Sequence, residues 1–411
     1  MGPISSGGND DCKKLGVLNC ITGLNIGGAE HMMVRYVRHL INGPFDFSVL
    51  SLMTPGPLQR DLLALQVPVV SLAMARALPS LRAVNGLKQV FARMQPSLVH
   101  GWMYHGNIAA TVGALMGSKP PVIWSVHHSV EDIRNENAMT QALIRLSAVM
   151  SKSVAAIVYC SKASADQHER LGYDAEKRVI IRNGVDANAF RPWSHARAKL
   201  KAMLGIGTER LVIGNVARAH PMKDHRTLVR AGHILVRQGL DIQLLFVGAD
   251  HDSGAVREEA AALGIVDRVC ILGPQQDVTE IVAGLDIYAS SSAWGETFSL
   301  AILEAMASGV PSVTTDVGDC AELIGDADLI APPRNAAALA AVLARLCALS
   351  YEERARRGLR ARDRVVGNYS LESYVRSHMR LYEQVLAGAQ RIQACLFAVI
   401  GVWWMQLALA I

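Results

Sequence analysis

Short apolar runs of strand length alternate with helix-period segments along nearly the whole chain, and the pattern restarts near residue 211. Such alternation marks parallel strands joined by crossover helices, so the fold class is α/β with two similar halves. Strands are predicted at 14–20, 46–51, 67–71, 98–101, 122–125 and 156–160, then at 211–217, 243–247, 269–272, 287–290, 312–315 and 328–330. Helices fill the gaps, for example 30–40 and 227–238. The stretch 182–207 holds Asn183-Gly184, Pro192 and little apolar periodicity, and reads as a hinge.

Bulk properties narrow the function. The 411 residues suit two domains, and a hydrophobic share of 51% supplies a core for each. Aromatic residues are 5%, too few for a base-stacking platform. A net charge of +5 suits an anionic small substrate or an anionic membrane surface and is too weak to argue for nucleic acid. The seven cysteines include no Cys-x-x-Cys pair, so free thiols in a reducing cytosol are expected. Residues 1–13 read as a flexible leader without a secretory signal. From Ile392 to Ile411 no residue is charged. As a helix that tail would be about 30 Å long, enough for a membrane anchor. A helix lying on a membrane or buried in protein, and a non-native extension, are the competing readings. Trp403 and Trp404 sit mid-run, where interfacial tryptophans would not.

The chemistry concentrates around Gly295-Glu-Thr-Phe-Ser-Leu-Ala-Ile-Leu-Glu304, which carries two glutamates eight residues apart. Ser299 reads as an N-cap, and Gly309 with Pro311 ends the helix. The N–H groups of Leu300 and Ala301 would face a phosphate, because a helix start has unpaired donors and a positive dipole end. Glu296 and Glu304, one on each side, can grip hydroxyl groups at both ends of a diphosphate, which fits a nucleotide sugar. Glu296 and Glu304 read alternatively as a surface charge and a loop cap, but an idle carboxylate among Leu303, Ala305 and Met306 would be costly.

Other motifs follow strand ends. Arg218 and Lys223 come after the strand at 211–217 and would neutralise a departing diphosphate; an ordinary charged loop is the plain alternative. Gly27-Gly28 lets backbone approach a ligand, or is simply a tight turn. His127, after the strand at 122–125, can bond a sugar hydroxyl or accept a proton, or be a structural histidine; His105 is a weaker candidate of that kind. Asp250-His-Asp252 and Asp326-Ala-Asp328 have a metal-binding letter pattern, but the cations and helix start already balance a diphosphate, so no metal is expected. Six arginines fall within 354–364, read as a solvated helix face or as a contact for anionic lipid or acceptor.

Gly27-Gly28-Ala-Glu30, Ile181-Arg-Asn-Gly-Val-Asp186, Phe190-Arg-Pro192, Arg218 with Lys223, and Glu296-x7-Glu304 with Phe298 and Gly309-Val-Pro311 together resemble the retaining glycosyltransferases of family four, with the GT-B fold. The resemblance covers about residues 14 to 388. It implies two Rossmann-like domains facing across a cleft: an acceptor-side domain at 14–187 and a nucleotide-sugar domain at 188–370, with a helix at 371–390 returning to the first and the apolar tail 391–411 as an extra. By that similarity Glu304 holds the ribose, and Glu296 and His127 the donor sugar. Arg218 and Lys223 hold the diphosphate, together with the turn at Phe298, Ser299 and Leu300, and Gly27 and Gly28 close over it. The catalytic set is then His127, Glu296, Arg218 and Lys223, with no metal and no cofactor. The implied reaction moves a hexosyl group from a UDP- or GDP-sugar to a glycan or lipid-linked acceptor, with retention, in the cytoplasm or at the cytoplasmic face of the inner membrane. A nucleotide-sugar epimerase on the same plan and a non-catalytic sugar-nucleotide or glycolipid-binding protein are the alternatives. Three positions depart from the usual pattern: Gly318-Asp319 for Gly-Gly, Ser299 for Gly and Ala217 for Gly.

Overall fold

The computed structural model describes residues 14–25, 27–74, 80–251 and 254–409, with side chains up to Arg391. The first sheet contains β1 (Leu15–Ile21), β2 (Phe45–Ser51), β3 (Val69–Ser71), β4 (Leu98–Trp102), β5 (Val122–Val126), β6 (Ala156–Tyr159) and β7 (Arg178–Ile180). The second contains β8 (Leu211–Val216), β9 (Ile242–Val247), β10 (Val269–Leu272), β11 (Ile287–Ser290), β12 (Ser312–Thr315) and β13 (Ile330–Ala331). Strand order is β3-β2-β1-β4-β5-β6-β7 in one and β10-β9-β8-β11-β12-β13 in the other. β1 pairs in parallel with β2 and β4, and β8 with β9 and β11. Each sheet therefore winds outward from a central strand and then restarts on its other side. Helices leave in opposite directions at that switch, opening a crevice at the carboxyl ends of β8 and β11.

The described residues fall into two compact units, one from Met1–Trp124, Ser153–Ala156 and Tyr382–Ile411, the other from Ser125–Lys152 and Ile157–Leu381. In the first, Tyr382 is buried, its hydroxyl 2.5 Å from His100 Nδ1 and its ring edge-on to Phe45 and Tyr36.

The six-stranded sheet shows why these strands read as near-continuous apolar runs. Ile213, Leu244, Phe246, Ile287 and Ala289 join one core cluster, whereas Val212, Leu245, Val247 and Tyr288 join another. Alternate residues feed opposite faces, and both faces are covered. The helix His225–Arg237 covers the first face with Leu228, Ala231 and Leu235. Its Asp224 cap accepts from Thr227 Oγ1 at 2.7 Å. The helix Leu300–Ala307 covers the second face with Ile302, Leu303 and Met306.

Sequence and structure differ at the sheet edges. β7, three residues long, went unpredicted because so short a run shows no period. The strand expected at 328–330 begins only at Ile330, because Asp326 accepts from Asp328 N at 3.0 Å and closes a 3-10 turn over Ala327–Leu329.

The arginine-rich helix Tyr351–Asn368 bears out the solvated face only in part: Arg356 and Arg360 are exposed, but three other arginines turn to backbone. Arg362 donates to Ala307 O, to Phe190 O at 2.9 Å and to Ala187 O at 3.1 Å. Arg364 donates to Glu322 O at 2.6 Å and Leu323 O at 3.0 Å, and Arg354 to Leu349 O. Arg362 and Arg364 close helix ends, where carbonyls lack partners and the dipole is negative. Arg362 thereby braces the last turn of Leu300–Ala307.

A single helix, Leu371–Leu409, runs through both the predicted returning helix and most of the apolar tail. Among the described residues no helix is long and apolar enough to cross a membrane. The side chains of 392–411, on which the anchor reading rests, lie outside the described residues, as do the predicted leader 1–13 and Asp252.

Close approach of the arginine-rich helix to Leu300–Ala307 gives a stability prediction. A Cβ on Gly358 would lie 1.8 Å from Gly309 O, whereas Gly367, on the same helix, has nothing within 4 Å. Gly358→Ala should lower Tm, with overpacking costing about 1–3 kcal/mol. Gly367→Ala should hold or raise it, by up to about 1 kcal/mol. Thermal unfolding of both variants checks the contrast.

Candidate active site

The site is built at the carboxyl ends of β8 and β11. β8 runs into Ala217-Arg218-Ala-His-Pro-Met-Lys223, whose last three residues form a 3-10 turn capped by His220. β11 runs into Ser291–Ser299, most of which is buried. The two loops are stitched together by backbone: Ala293 N donates to Met222 O at 2.7 Å, and Ser291 Oγ to Lys223 O at 2.8 Å. Gly295 has φ +76°, and a Cβ there would come within 2.8 Å of Met222 Cε. A side chain would be both strained and crowded at that turn.

This stitching brings Lys223 onto Glu296. The ammonium contacts Glu296 Oε1, and Ser292 Oγ donates to the same oxygen at 2.8 Å. Burial acts to raise the Glu296 carboxyl, but the Lys223 charge and the two hydrogen bonds outweigh it and hold the group below the usual carboxylate range. Glu304 lies in the adjoining helix and is buried. Both carboxylates act on Tyr288, whose hydroxyl is pushed up first by burial and then by their charges.

Ser299 occupies the N-cap position of the helix Leu300–Ala307, but its side chain makes no capping hydrogen bond. The sequence reading of Ser299 as cap holds for the backbone alone. Phe298 is buried edge-on to Tyr369 at 4.9 Å, and its carbonyl accepts from Asn183 Nδ2 at 2.8 Å. The hinge motif around Asn183 thus holds the turn that precedes the helix.

Arg218 is exposed on the Lys223 loop. Its guanidinium helps to lower the His220 pKa, after burial and together with Lys223. His127 follows β5 directly and lies in the same compact unit as the glutamates. Burial, aided by His378 and opposed by a hydrogen bond with Asn183, brings its pKa down to about 3. At neutral pH His127 is an uncharged hydrogen-bonding group and a weak base. His128 Nε2 lies 2.8 Å from Glu136 Oε1, and its charge is felt at Glu296. The structure thus adds Asn183, Ser292, His128, Glu136 and His220 to the neighbourhood. Ser292 and His220 lie in the two loops themselves and His128 pairs within its own segment, whereas Asn183 reaches the Phe298 carbonyl from 115 residues away, which leaves no spacing signal for it.

Gly27 and Gly28 lie in the other unit, at the start of the helix Gly28–Leu40. Gly27 is extended, at φ −156°, and the atoms nearest to a Cβ there belong to the Glu30 carboxylate. No left-handed backbone requires glycine at Gly27. His105 lies in that unit too, in the helix Met103–Met116. Asp326 caps the 3-10 turn described above and lies 3.6 Å from Arg357. Among the described residues no group of three or more His, Cys, Asp or Glu side chains is arranged to hold a metal ion, and the described cysteines are free thiols.

With the geometry in hand, comparison with known proteins assigns the class. The family model "Glycosyltransferase Family 4" matches residues 26–189 and "Glycosyl transferases group 1" matches 196–364, together most of the chain. The chain belongs to the family-four glycosyltransferases of GT-B fold. A putative glycosyltransferase EpsF from Bacillus subtilis is 25% identical over 73% of this chain and 79% of its own length. The N-acetyl-alpha-D-glucosaminyl L-malate synthase of Bacillus anthracis is 26% identical over 70% of this chain and 74% of its own. A D-inositol 3-phosphate glycosyltransferase from Saccharomonospora viridis reaches 35%, but over 48% of each chain. Among solved structures, Anabaena Alr3699/HepE in complex with UDP and glucose superposes with TM-score 0.79 at 18% identity, covering 90% of this chain and 100% of that one. WaaG, a glycosyltransferase involved in lipopolysaccharide biosynthesis, superposes at TM-score 0.69 and 15% identity, covering 89% and 98%. At these identities the superpositions speak for the fold.

The Lys223–Glu296 pair has a measurable pH signature. A carboxyl held low in the folded state contributes stability that is present above its unfolded pKa and lost as pH falls through the folded one. Lys223→Met removes the counter-charge and leaves burial to raise the Glu296 pKa. The Glu296 part of the acid-side loss of Tm should therefore disappear in Lys223→Met, whose Tm is lower than wild type near neutral pH and falls less steeply on acidification. Tm measured from pH 3 to 7 for both proteins checks this, and superimposable acid limbs would contradict it.

Proposed function

We propose that this glycosyltransferase moves a hexosyl group from a UDP- or GDP-sugar to a glycan or lipid-linked acceptor with retention of configuration and without a metal ion. The observation that carries the reading is the half-buried Lys223 ammonium on buried Glu296 and Ser292, in the loop before Leu300–Ala307, at the switch between β8 and β11. An ammonium and a helix start in one crevice suit a diphosphate, and the two carboxylates suit hydroxyl groups. UDP and UDP-glucose are bound by Anabaena Alr3699/HepE, which supports a nucleotide-sugar donor here.

The roles divide along the crevice. Lys223 and Arg218 take the diphosphate and stabilise the charge that grows as the glycosidic bond breaks. The turn at Phe298, Ser299 and Leu300 offers backbone N–H groups to the distal phosphate. Glu304 accepts from ribose hydroxyls. Glu296, kept ionised by Lys223, accepts from the transferred sugar and orients it. Neutral His127 hydrogen-bonds a sugar hydroxyl. With a low pKa it is a poor general base at neutral pH, so the acceptor proton passes to the leaving diphosphate oxygen on the same face. That route retains the anomeric configuration. Transfer takes place in the cytoplasm or at the cytoplasmic face of the membrane, where lipid-linked acceptors present their glycan.

Two variants separate the carboxylates. Glu304→Ala should weaken UDP and UDP-glucose alike, by about tenfold to a hundredfold, since hydrogen bonds to charged groups contribute about 1.5–3 kcal/mol. Glu296→Gln should weaken UDP-glucose while leaving UDP within about threefold. Calorimetry with both ligands reads the split, and equal loss of both ligands in Glu296→Gln would sink the assignment. Product anomeric configuration by NMR, and turnover in excess chelator, test retention and metal independence.

A further inference from the structure

The Gly318-Asp319 pair, in the loop after β12, touches two parts of the site at once. On one side its backbone lies flush against the Glu296 loop. Asp319 N donates to Thr297 O at 2.9 Å, and Gly318, at φ +59°, leaves room where a Cβ would fall 2.2 Å from Glu296 O. On the other side the Asp319 carboxylate reaches the helix Lys162–Arg170. Oδ2 accepts from Lys162 N at 2.6 Å and Oδ1 from Ala163 N at 3.0 Å. These are the first two amides of that helix, and Ser161 Oγ takes the third, Ser164 N, at 2.9 Å. The same helix holds the segment after β5: Ser164 Oγ donates to His128 O at 2.6 Å, and Gln167 Oε1 accepts from Ser129 Oγ at 2.5 Å and Val130 N at 2.7 Å.

We infer that Asp319 is a positioning residue: through the helix Lys162–Arg170 it sets where His127 and His128 stand relative to Glu296. The carboxylate is well suited to this. It is buried, so water competes poorly for the two amides. A charged acceptor at a helix start gains from both the short hydrogen bonds and the dipole. Both oxygens are used, which fixes direction as well as distance. A glycine at 319 would keep the backbone bond to Thr297 and lose the link to the helix.

The inference rests on the donor-site reading above, and the test keeps the two apart. Full-length wild type, Asp319→Ala and Asp319→Asn are compared by amide hydrogen exchange without ligand and by UDP-glucose hydrolysis. Asp319→Ala should speed exchange at 161–164, at 126–130 and at 295–299 together. Its kcat should fall about tenfold or more, since small misplacement of reacting groups is costly, with KM for UDP-glucose within about twofold because the diphosphate and ribose contacts remain. Asp319→Asn, which can still cap through one oxygen, should recover most of both effects. Faster exchange confined to 161–164, or unchanged kcat in Asp319→Ala, would reduce Asp319 to a local helix cap and overturn the inference. If wild type neither binds nor hydrolyses UDP-glucose, the donor assignment fails for that sugar nucleotide, and the exchange pattern alone still decides the role of Asp319.

Discussion

The site depends on one ion pair in a place with little water. Glu296 is buried, and an ionised carboxylate there would be costly without a counter-charge. Lys223 supplies it, and Ser292 completes the hydrogen bonding. The pair forms because β8 and β11 are neighbours in the sheet although far apart in sequence, so their following loops meet at the switch point. The ionised state also carries the proposed function: a carboxylate that stays charged accepts from sugar hydroxyls at any physiological pH, and an ammonium balanced by it stands ready for phosphate.

Around this pair the fold invests in holding loops still. The arginines of Tyr351–Asn368 are part of that, since Arg362 closes the end of the Glu304 helix and Arg364 the end of Cys320–Ile324. Asn183 ties the Phe298 carbonyl, and Asp319 ties the Glu296 loop to the helix Lys162–Arg170. Part of what read as surface charge, and of what read as a hinge, is a set of hydrogen bonds to backbone, which satisfy groups that would otherwise be unpaired in the interior.

The sequence revealed the sheets because strands buried on both faces are long apolar runs; it missed β7, which is too short to show a period, and shifted β13, whose start is taken by the Asp326 turn. Glu296, Glu304, Arg218 and Lys223 were legible as charges placed just after strands or inside an apolar helix. Asp319 and Asn183 were not, because their partners lie 157 and 115 residues away and are backbone atoms, which carry no residue signature. His127 was legible by position but not by charge state. Burial, aided by His378, makes it neutral and turns it from a candidate base into a hydrogen-bonding group.

The most direct test is a crystal structure of the full-length chain with a non-hydrolysable UDP-sugar. The account predicts the distal phosphate within hydrogen-bond distance of Lys223 Nζ and the Leu300 and Ala301 amides, with Glu304 on the ribose and Glu296 on the sugar. A nucleotide bound elsewhere, or a diphosphate that leaves Lys223 and the start of Leu300–Ala307 untouched, would contradict it.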